Sequence, residues 1–226
     1  MTELNKRLIT SFFLLFLLYI ANLYNYILIS FMIIFFTIVW IEFNGLMKKI
    51  FKIKKSKKNF KYIIFSFVGL SYVSFFTYLT IFNFQNEQAK LIYLYSLGLC
   101  IVSDIGGFSF GKTFKGKKLT TISPNKTISG CAGAFCLSFL LMIVYYNYVG
   151  QVSLYYCLLF GLIVSIFSQI GDLIISYLKR KSKVKNTSNL LPGHGGLLDR
   201  VDGILFGVPV GLYFSFLISW KKKLLF

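Results

Sequence analysis

Acidic side chains are nearly absent from this chain. Seven Asp and Glu stand against 25 Lys and Arg in 226 residues, and the one histidine is His194. A single imidazole, with no Cys in a catalytic-looking setting, argues against a Ser-His-Asp arrangement and against hydrolysis by a covalent route. The four cysteines, Cys100, Cys131, Cys136 and Cys157, lie in apolar runs with no CxxC pair and no His at ligand spacing. They read as small buried hydrophobes, not as a metal or disulfide framework. Polar surface is also short: 56% of residues are hydrophobic and 19% aromatic, and the mean hydropathy is +0.70. That excludes a soluble globule and leaves room for one membrane domain with no sizeable soluble one. No internal repeat is evident. Lys6-Arg7 opens an apolar stretch that reaches Ile41 without a small-residue cleavage site, so an uncleaved first span is expected.

What the chain has in excess is positive charge, net +18, and it is not spread over a face. Eight Lys fall in Lys48–Lys61, five in Lys112–Lys126, four Lys with Arg180 in Lys179–Lys185 and three in Lys221–Lys223, beside apolar runs. This is the positive-inside pattern with attraction to anionic headgroups, so the expected partner is a lipid bilayer and no nucleic acid. Leu8–Ile41 is too long for one upright helix across a core of about 30 Å, and Asn22-Leu23-Tyr24-Asn25 offers a tight hairpin. Tyr62–Phe84, Leu91–Phe110, Ile128–Val149, Leu154–Leu178 and Ile204–Trp220 follow as spans. Gln85–Lys90 and Gly150-Gln151 look external, the Lys-rich loops cytoplasmic. Gly207, Pro209 and Gly211 make the final span the least regular, and a single crossing there sets Lys221–Lys223 against the charge rule. The expectation is an all-α polytopic bundle of six to seven spans in a single membrane domain, with a polar site facing the cytoplasm. Residues 1–90 are spans without motifs, and 91–226 carry the motifs.

The scarce acids mark where chemistry is to be sought. Glu3, Glu42 and Glu87 lie near the ends of apolar runs, whereas Asp104, Asp172, Asp199 and Asp202 lie in or beside Gly-rich motifs. Lys179–Gly203 is a polar segment that holds His194 flanked by Gly, then Asp199, Arg200 and Asp202. Just before it, Ser165, Ser168 with Gln169, Asp172, Ser176 and Lys179 with Arg180 recur at three and four residues, one stripe on a helix. An Asp roughly 10 Å inside the end of a span, at about 1.5 Å per residue, is costly in lipid and is a functional candidate; the serines serve helix packing equally well. Gly106–Thr113 matches the G-x-x-x-x-G-K-[ST] phosphate loop, but it closes an apolar span and lacks the strand and sheet that loop needs. What remains of Ser103–Gly130 is Gly for close backbone approach, Lys and hydroxyls for phosphate oxygens, and Asp104 at the membrane edge. Carboxylates for a divalent cation, cations for phosphates and Gly-rich turns at a membrane surface suit phosphoryl or nucleotidyl transfer to a lipid.

Ser176-x-x-Lys179-Arg180, Lys185, Asn189 and Pro192-Gly193-His194-Gly195-Gly196-x-x-Asp199-Arg200-x-Asp202 resemble the signature of the phosphatidate cytidylyltransferase (CDP-diacylglycerol synthase) family. Asp104-Ile105-Gly106, Ile122-Ser123-Pro124-x-Lys126-Thr127 and Gly171-Asp172-Leu173 resemble its upstream blocks, in the same order. The likeness covers the C-terminal half; the N-terminal half matches only in hydrophobicity. Departures are Asn186 for an Asp, Ile175 and Ser129 where Glu is frequent, and Gly203 where Ser is frequent.

The resemblance implies CTP and phosphatidate as substrates, CDP-diacylglycerol and pyrophosphate as products, and a bacterial inner (plasma) membrane setting with the site facing the cytoplasm. It implies Mg²⁺ held by Asp172 and Asp199, with a second, monovalent cation and a homodimer left open. Asp172, Asp199, Lys179, Arg200 and His194 are the implied catalytic set, His194 bonding phosphate or orienting the Asp199 segment. Asp104, Ser123, Lys126, Thr127, Ser176, Arg180, Lys185, Gly195, Gly196 and Asp202 are the implied substrate-binding set, Asp202 standing behind the ligands or among them. A CTP-dependent kinase of a polyprenol or other lipid alcohol, which shares a similar PGHGG-x-x-DR-x-D block, is the alternative. A transporter using Asp172 for ion coupling explains the stripe but not the Lys- and Gly-rich loops.

Overall fold

The computed structural model describes residues 20, 24–53, 59–120, 123, 126–149, 153–190 and 195–224. Six helices follow one another: α1 Asn25–Ile50, α2 Phe60–Phe84, α3 Glu87–Phe114, α4 Ile128–Val149, α5 Leu154–Lys181 and α6 Leu198–Leu224. All six are long and apolar enough to cross a membrane. No strand occurs among the described residues, where Lys118 and Thr127 form an isolated bridge. The all-α, multi-pass class read from composition is therefore present, with six spans among the described residues.

The helices outrun the apolar stretches that announce them, because backbone hydrogen bonding does not stop where side chains turn polar. α1 continues past Ile41 to Ile50 and so takes in Glu42. The connection expected over Gln85–Lys90 shrinks to Gln85 and Asn86. The largest correction is at the end of the chain: α6 starts at Leu198, not Ile204, so Asp199 and Asp202 are helical and not part of a loop. Pro209 stands inside this helix without breaking it, as spans tolerate when neighbouring groups take up the freed backbone. Residues 106–113 lie wholly inside α3 and form no phosphate-binding loop. The hairpin expected at Asn22–Asn25 falls largely outside the described residues, and from Asn25 on the chain is one helix.

Two compact units emerge. The first comprises α1, α2 and residues 178–201. On α1 the buried positions Leu28, Met32, Phe35, Val39, Glu42 and Leu46 recur at alternating steps of four and three, the stripe that a helix buries along one face. α2 answers with Gly69, Val73, Phe76 and Thr80. The pairs Phe35–Phe76, with ring centroids 5.9 Å apart, and Phe51–Phe65, at 5.6 Å, fix an antiparallel course. Tyr62 Oη donates to Asn44 Oδ1 at 2.7 Å and adds a polar tie. α1 ends with Ile53 N bonded to Lys48 O and Lys52 N to Lys49 O, and α5 ends with Val184 N on Lys179 O and Lys183 N on Arg180 O. Both ends thus carry a paired closing motif with a left-handed residue, Lys52 or Lys183.

The second unit comprises 88–177 and 202–226, and its helices meet through small residues. A Cβ on Gly106 would come within 2.5 Å of Gly133 O, and one on Gly130 within 2.6 Å of Gly107 O, so α3 and α4 touch backbone to backbone. α5 and α6 do likewise, Gly171 lying against Asp202 O and Phe206, and Gly203 against Ser168. Such crossings suit a bilayer, where close van der Waals packing replaces the hydrophobic drive between helices. Serines inside the spans bond back to their own helix, as Ser96 Oγ does to Ile92 O and Ser138 Oγ to Ala134 O, both at 2.8 Å. Ser165 and Ser168 of the predicted stripe are fully buried, Ser165 Oγ lying 2.8 Å from Ser103 Oγ. These two serve helix packing.

Replacing Gly106 by Ala should lower stability by about 1–3 kcal/mol, the usual cost of overfilling a packed contact. Gly45→Ala, where a new Cβ meets nothing within 4 Å, should be neutral or gain up to about 1 kcal/mol from helix propensity. Thermal midpoints in one detergent check the contrast.

Candidate functional site

Within the second unit, α3, the 115–127 segment, α4 and α5 enclose a cavity of about 290 Å³. Ser103, Asp104, Ser123, Lys126, Thr127, Gln169 and Asp172 supply its polar lining. The segment that carries Lys126 is tied at several points. Leu119 N donates to Lys126 O at 2.7 Å, Ile128 N to Lys117 O at 3.0 Å and Lys126 N to Ser123 O at 3.1 Å. Ser129 Oγ donates to Lys115 O. Thr127 closes the segment as the N-cap of α4, its Oγ1 accepting from Gly130 N at 3.1 Å. So held, Lys126 Nζ reaches Asp172 Oδ2 at 2.5 Å and Gln169 O at 3.5 Å. Ser176 Oγ donates to the other oxygen, Asp172 Oδ1, at 3.3 Å. Asp172 is therefore an ion-paired carboxylate with part of its surface still open to the cavity.

Within the first unit a second Lys–Asp pair stands at the start of α6. Lys179 Nζ lies 2.8 Å from Asp199 Oδ1, and Ser182 Oγ bonds Lys179 O at 3.0 Å. Asp199 Oδ2 accepts from Thr187 N at 2.8 Å, Thr187 Oγ1 at 3.0 Å and Gly196 N at 3.0 Å. Gly195 has φ +85° and a Cβ there would crowd Asp199 Oδ2 and Asn186, so this turn needs glycine. Asp199 lies deep, its side chain 7% exposed.

The predicted residues thus fall into two groups. Asp104, Ser123, Lys126, Thr127 and Asp172 line one cavity, and Ser176 is bonded to Asp172. Lys179, Gly195, Gly196 and Asp199 belong to the turn before α6. Arg180, Lys185 and Arg200 are exposed there. Asp202 is buried, with its Oδ1 accepting from Gly203 N at 2.9 Å. His194, with Pro192 and Gly193, lies outside the described residues.

Glu42 was missed. It is buried in α1 and accepts from Thr187 Oγ1, Ser188 Oγ, Leu197 N and Leu198 N at 2.6–3.0 Å. The available signal was its phase: an acid set among the apolar positions of a buried stripe.

The donors present suit a hard divalent cation, which takes oxygen ligands and tolerates one or two carboxylates with water and phosphate completing the shell. Asp172, which lines the cavity and stays partly exposed, fits this as a carboxylate. Asp199 fits as a carboxylate, with Lys179 the partner it would have to exchange. No cluster of three or more His, Cys, Asp or Glu exists among the described residues.

Membrane-spanning helices that carry Lys–Asp pairs, hydroxyls and glycine turns define the class: an all-α multi-pass membrane protein with polar groups set among its spans. Comparison with known proteins makes this particular. The model of the cytidylyltransferase family matches residues 1–218, and the chain belongs to that family. Among its relatives is the phosphatidate cytidylyltransferase of Bacillus subtilis (strain 168), 42% identical over 132 residues, which cover 57% of this chain and 48% of that protein. Another is that of Helicobacter pylori (strain J99), 34% identical over 154 residues, 66% of this chain and 56% of the relative. The enzyme of Staphylococcus saprophyticus is 33% identical over 162 residues, 70% of this chain and 61% of the relative. The chain thus spans about half to three-fifths of the length of these relatives.

Thr127→Val removes the α4 cap and should cost about 1 kcal/mol, whereas Thr127→Ser keeps the accepting oxygen and should cost far less. Thermal unfolding of the two variants side by side measures this.

Proposed function

We propose that this chain transfers the cytidylyl group of CTP to phosphatidate, forming CDP-diacylglycerol and releasing pyrophosphate, at the cytoplasmic face of a bacterial inner membrane. The observation that carries the reading is the likeness to three phosphatidate cytidylyltransferases over 57–70% of this chain. The lipid phosphate oxygen attacks the α-phosphorus of CTP, the bond from that phosphorus to the β-bridging oxygen breaks, and pyrophosphate leaves. The attacking oxygen is already anionic, so a strong general base is not required. The difficulty is to bring two polyanions together and to offset charge on the leaving group.

Lys126, Lys179, Arg180 and Arg200 are the cations for this task, with Ser123 and Ser176 as hydroxyl donors. Lys126 and Lys179 rest on Asp172 and Asp199. A polyphosphate competing for either lysine frees a carboxylate oxygen. Asp172 and Asp199 are the proposed holders of Mg²⁺, which when bound supplies positive charge to phosphate oxygens. His194 is assigned to hydrogen-bonding phosphate. Lys185 and Asp202 are assigned to substrate binding, Asp202 directly or from behind the ligands.

Purified protein given Mg²⁺, CTP labelled in the α- and γ-phosphates, and either phosphatidate or a polyprenol should yield labelled lipid and pyrophosphate with phosphatidate. Release of CDP, with γ-label on a polyprenol, would replace this reading with a lipid-alcohol kinase. Asp172→Asn and Asp199→Asn should each abolish turnover with insertion intact. Modest losses in either variant would sink the metal assignment of that carboxylate. Cysteines introduced at Thr120 and Asn189, after Cys131, Cys136 and Cys157 are changed to Ala, should resist an impermeant thiol reagent in cells and react in inverted vesicles. Labelling from opposite sides would rule out a single cytoplasmic site.

A further inference from the structure

We propose that Glu42 is a positioning residue: from inside α1 it holds the turn before α6 and, through Thr187, sets the orientation of Asp199. Its kinetic consequence rests on the transferase reading above; its structural consequence does not.

Glu42 is 5% exposed and lies in phase with the buried apolar positions of α1. A carboxylate there is costly unless fully matched. These four donors lie far along the chain. Oε1 accepts from Ser188 Oγ at 2.6 Å and Leu197 N at 3.0 Å. Oε2 accepts from Leu198 N at 2.7 Å and Thr187 Oγ1 at 2.9 Å. Leu197 N and Leu198 N belong to the group at a helix start that has no partner within the helix. Glu42 occupies these two N–H groups.

Thr187 is the link. Its Oγ1 lies within hydrogen-bond distance of both Glu42 Oε2 and Asp199 Oδ2. One hydroxyl carries one proton and serves one carboxylate at a time. Its backbone N donates to Asp199 Oδ2 at 2.8 Å in either case. Moving Glu42 therefore moves Thr187, and with it the groups that aim Asp199. Gly196 fits the same account, because a Cβ there would lie 2.6 Å from Glu42 Oε2 and collide with the Thr187 hydroxyl. Glycine at 196 is what lets the carboxylate of α1 reach the turn. A residue that served only helix packing would need none of these donors.

The test uses the full chain in lipid nanodiscs and compares wild type with Glu42→Gln, Glu42→Asp and Thr187→Val, by hydrogen exchange and by steady-state turnover. Glu42→Gln preserves volume but presents an amide N–H₂ to a set of donors. Amides at 187 and 196–198 should exchange about tenfold faster, as for one lost charge-assisted hydrogen bond, with α1 and α2 protection unchanged. kcat should fall roughly 10- to 100-fold with KM for CTP little altered, and Glu42→Asp should recover part of the loss. Thr187→Val approaches the same link without touching α1, and the double variant should be no worse than Glu42→Gln. Two results overturn the proposal: an unchanged turn in both Glu42→Gln and Thr187→Val, or loss of protection spread through α1 and α2, which would make Glu42 a packing residue. If wild type makes no CDP-diacylglycerol, the transferase reading falls, and the exchange at 187 and 196–198 still decides what Glu42 holds.

Discussion

A carboxylate inside an apolar helix bundle has to be matched by donors drawn from the protein itself, and the polar architecture of this chain follows from that requirement. Removing one partner of a buried pair costs about 3–5 kcal/mol, a large fraction of the stability of any domain. Asp172, Asp199 and Glu42 meet it differently. Asp172 has Lys126 and Ser176, Asp199 has Lys179, two backbone amides and a hydroxyl, and Glu42 has two hydroxyls and two amides. The difference in partner type bears on function. A carboxylate held by a mobile lysine can exchange that lysine for another cation, while one held by backbone amides is fixed.

Each pairing depends on backbone that places the donors. Lys126 reaches Asp172 because the 115–127 segment is bonded to itself and capped onto α4 by Thr127. Lys179 sits in the last turn of α5, which closes over Lys183 in the left-handed region. The glycines act in the same sense by subtraction. Gly106, Gly130 and Gly171 let helix backbones touch. Gly195 and Gly196 clear space for the carboxylates of Asp199 and Glu42. Close packing and dense hydrogen bonding thus support groups whose positions phosphate chemistry would require to be held within a fraction of an ångström.

Much of the molecule was legible in the sequence, because the signals concerned are local. Apolar runs of about 20 residues mark spans whatever their neighbours, and five of the six described helices that cross contain the run that announced them. The three- and four-residue recurrence of Gln169, Asp172 and Ser176 follows from helix geometry alone, and the motif spacing carried the family. Helix ends were less legible, since a hydrogen-bonded backbone runs on through polar residues. That is why Asp199 and Asp202 prove helical.

Tertiary structure decided which partner each polar group found. Sequence marked Lys126 and Asp172 as candidates but could not pair them across 46 residues, nor bring Glu42 to Leu198, 156 residues away. It showed Glu42 only as an acid beside an apolar run, and gave no sign that Thr127 caps α4. Composition and periodicity fix what a segment is, because they act through the bonds along one chain. Which distant donor satisfies a buried carboxylate depends on how helices pack, and that is set by side-chain shape across segments that the sequence keeps far apart.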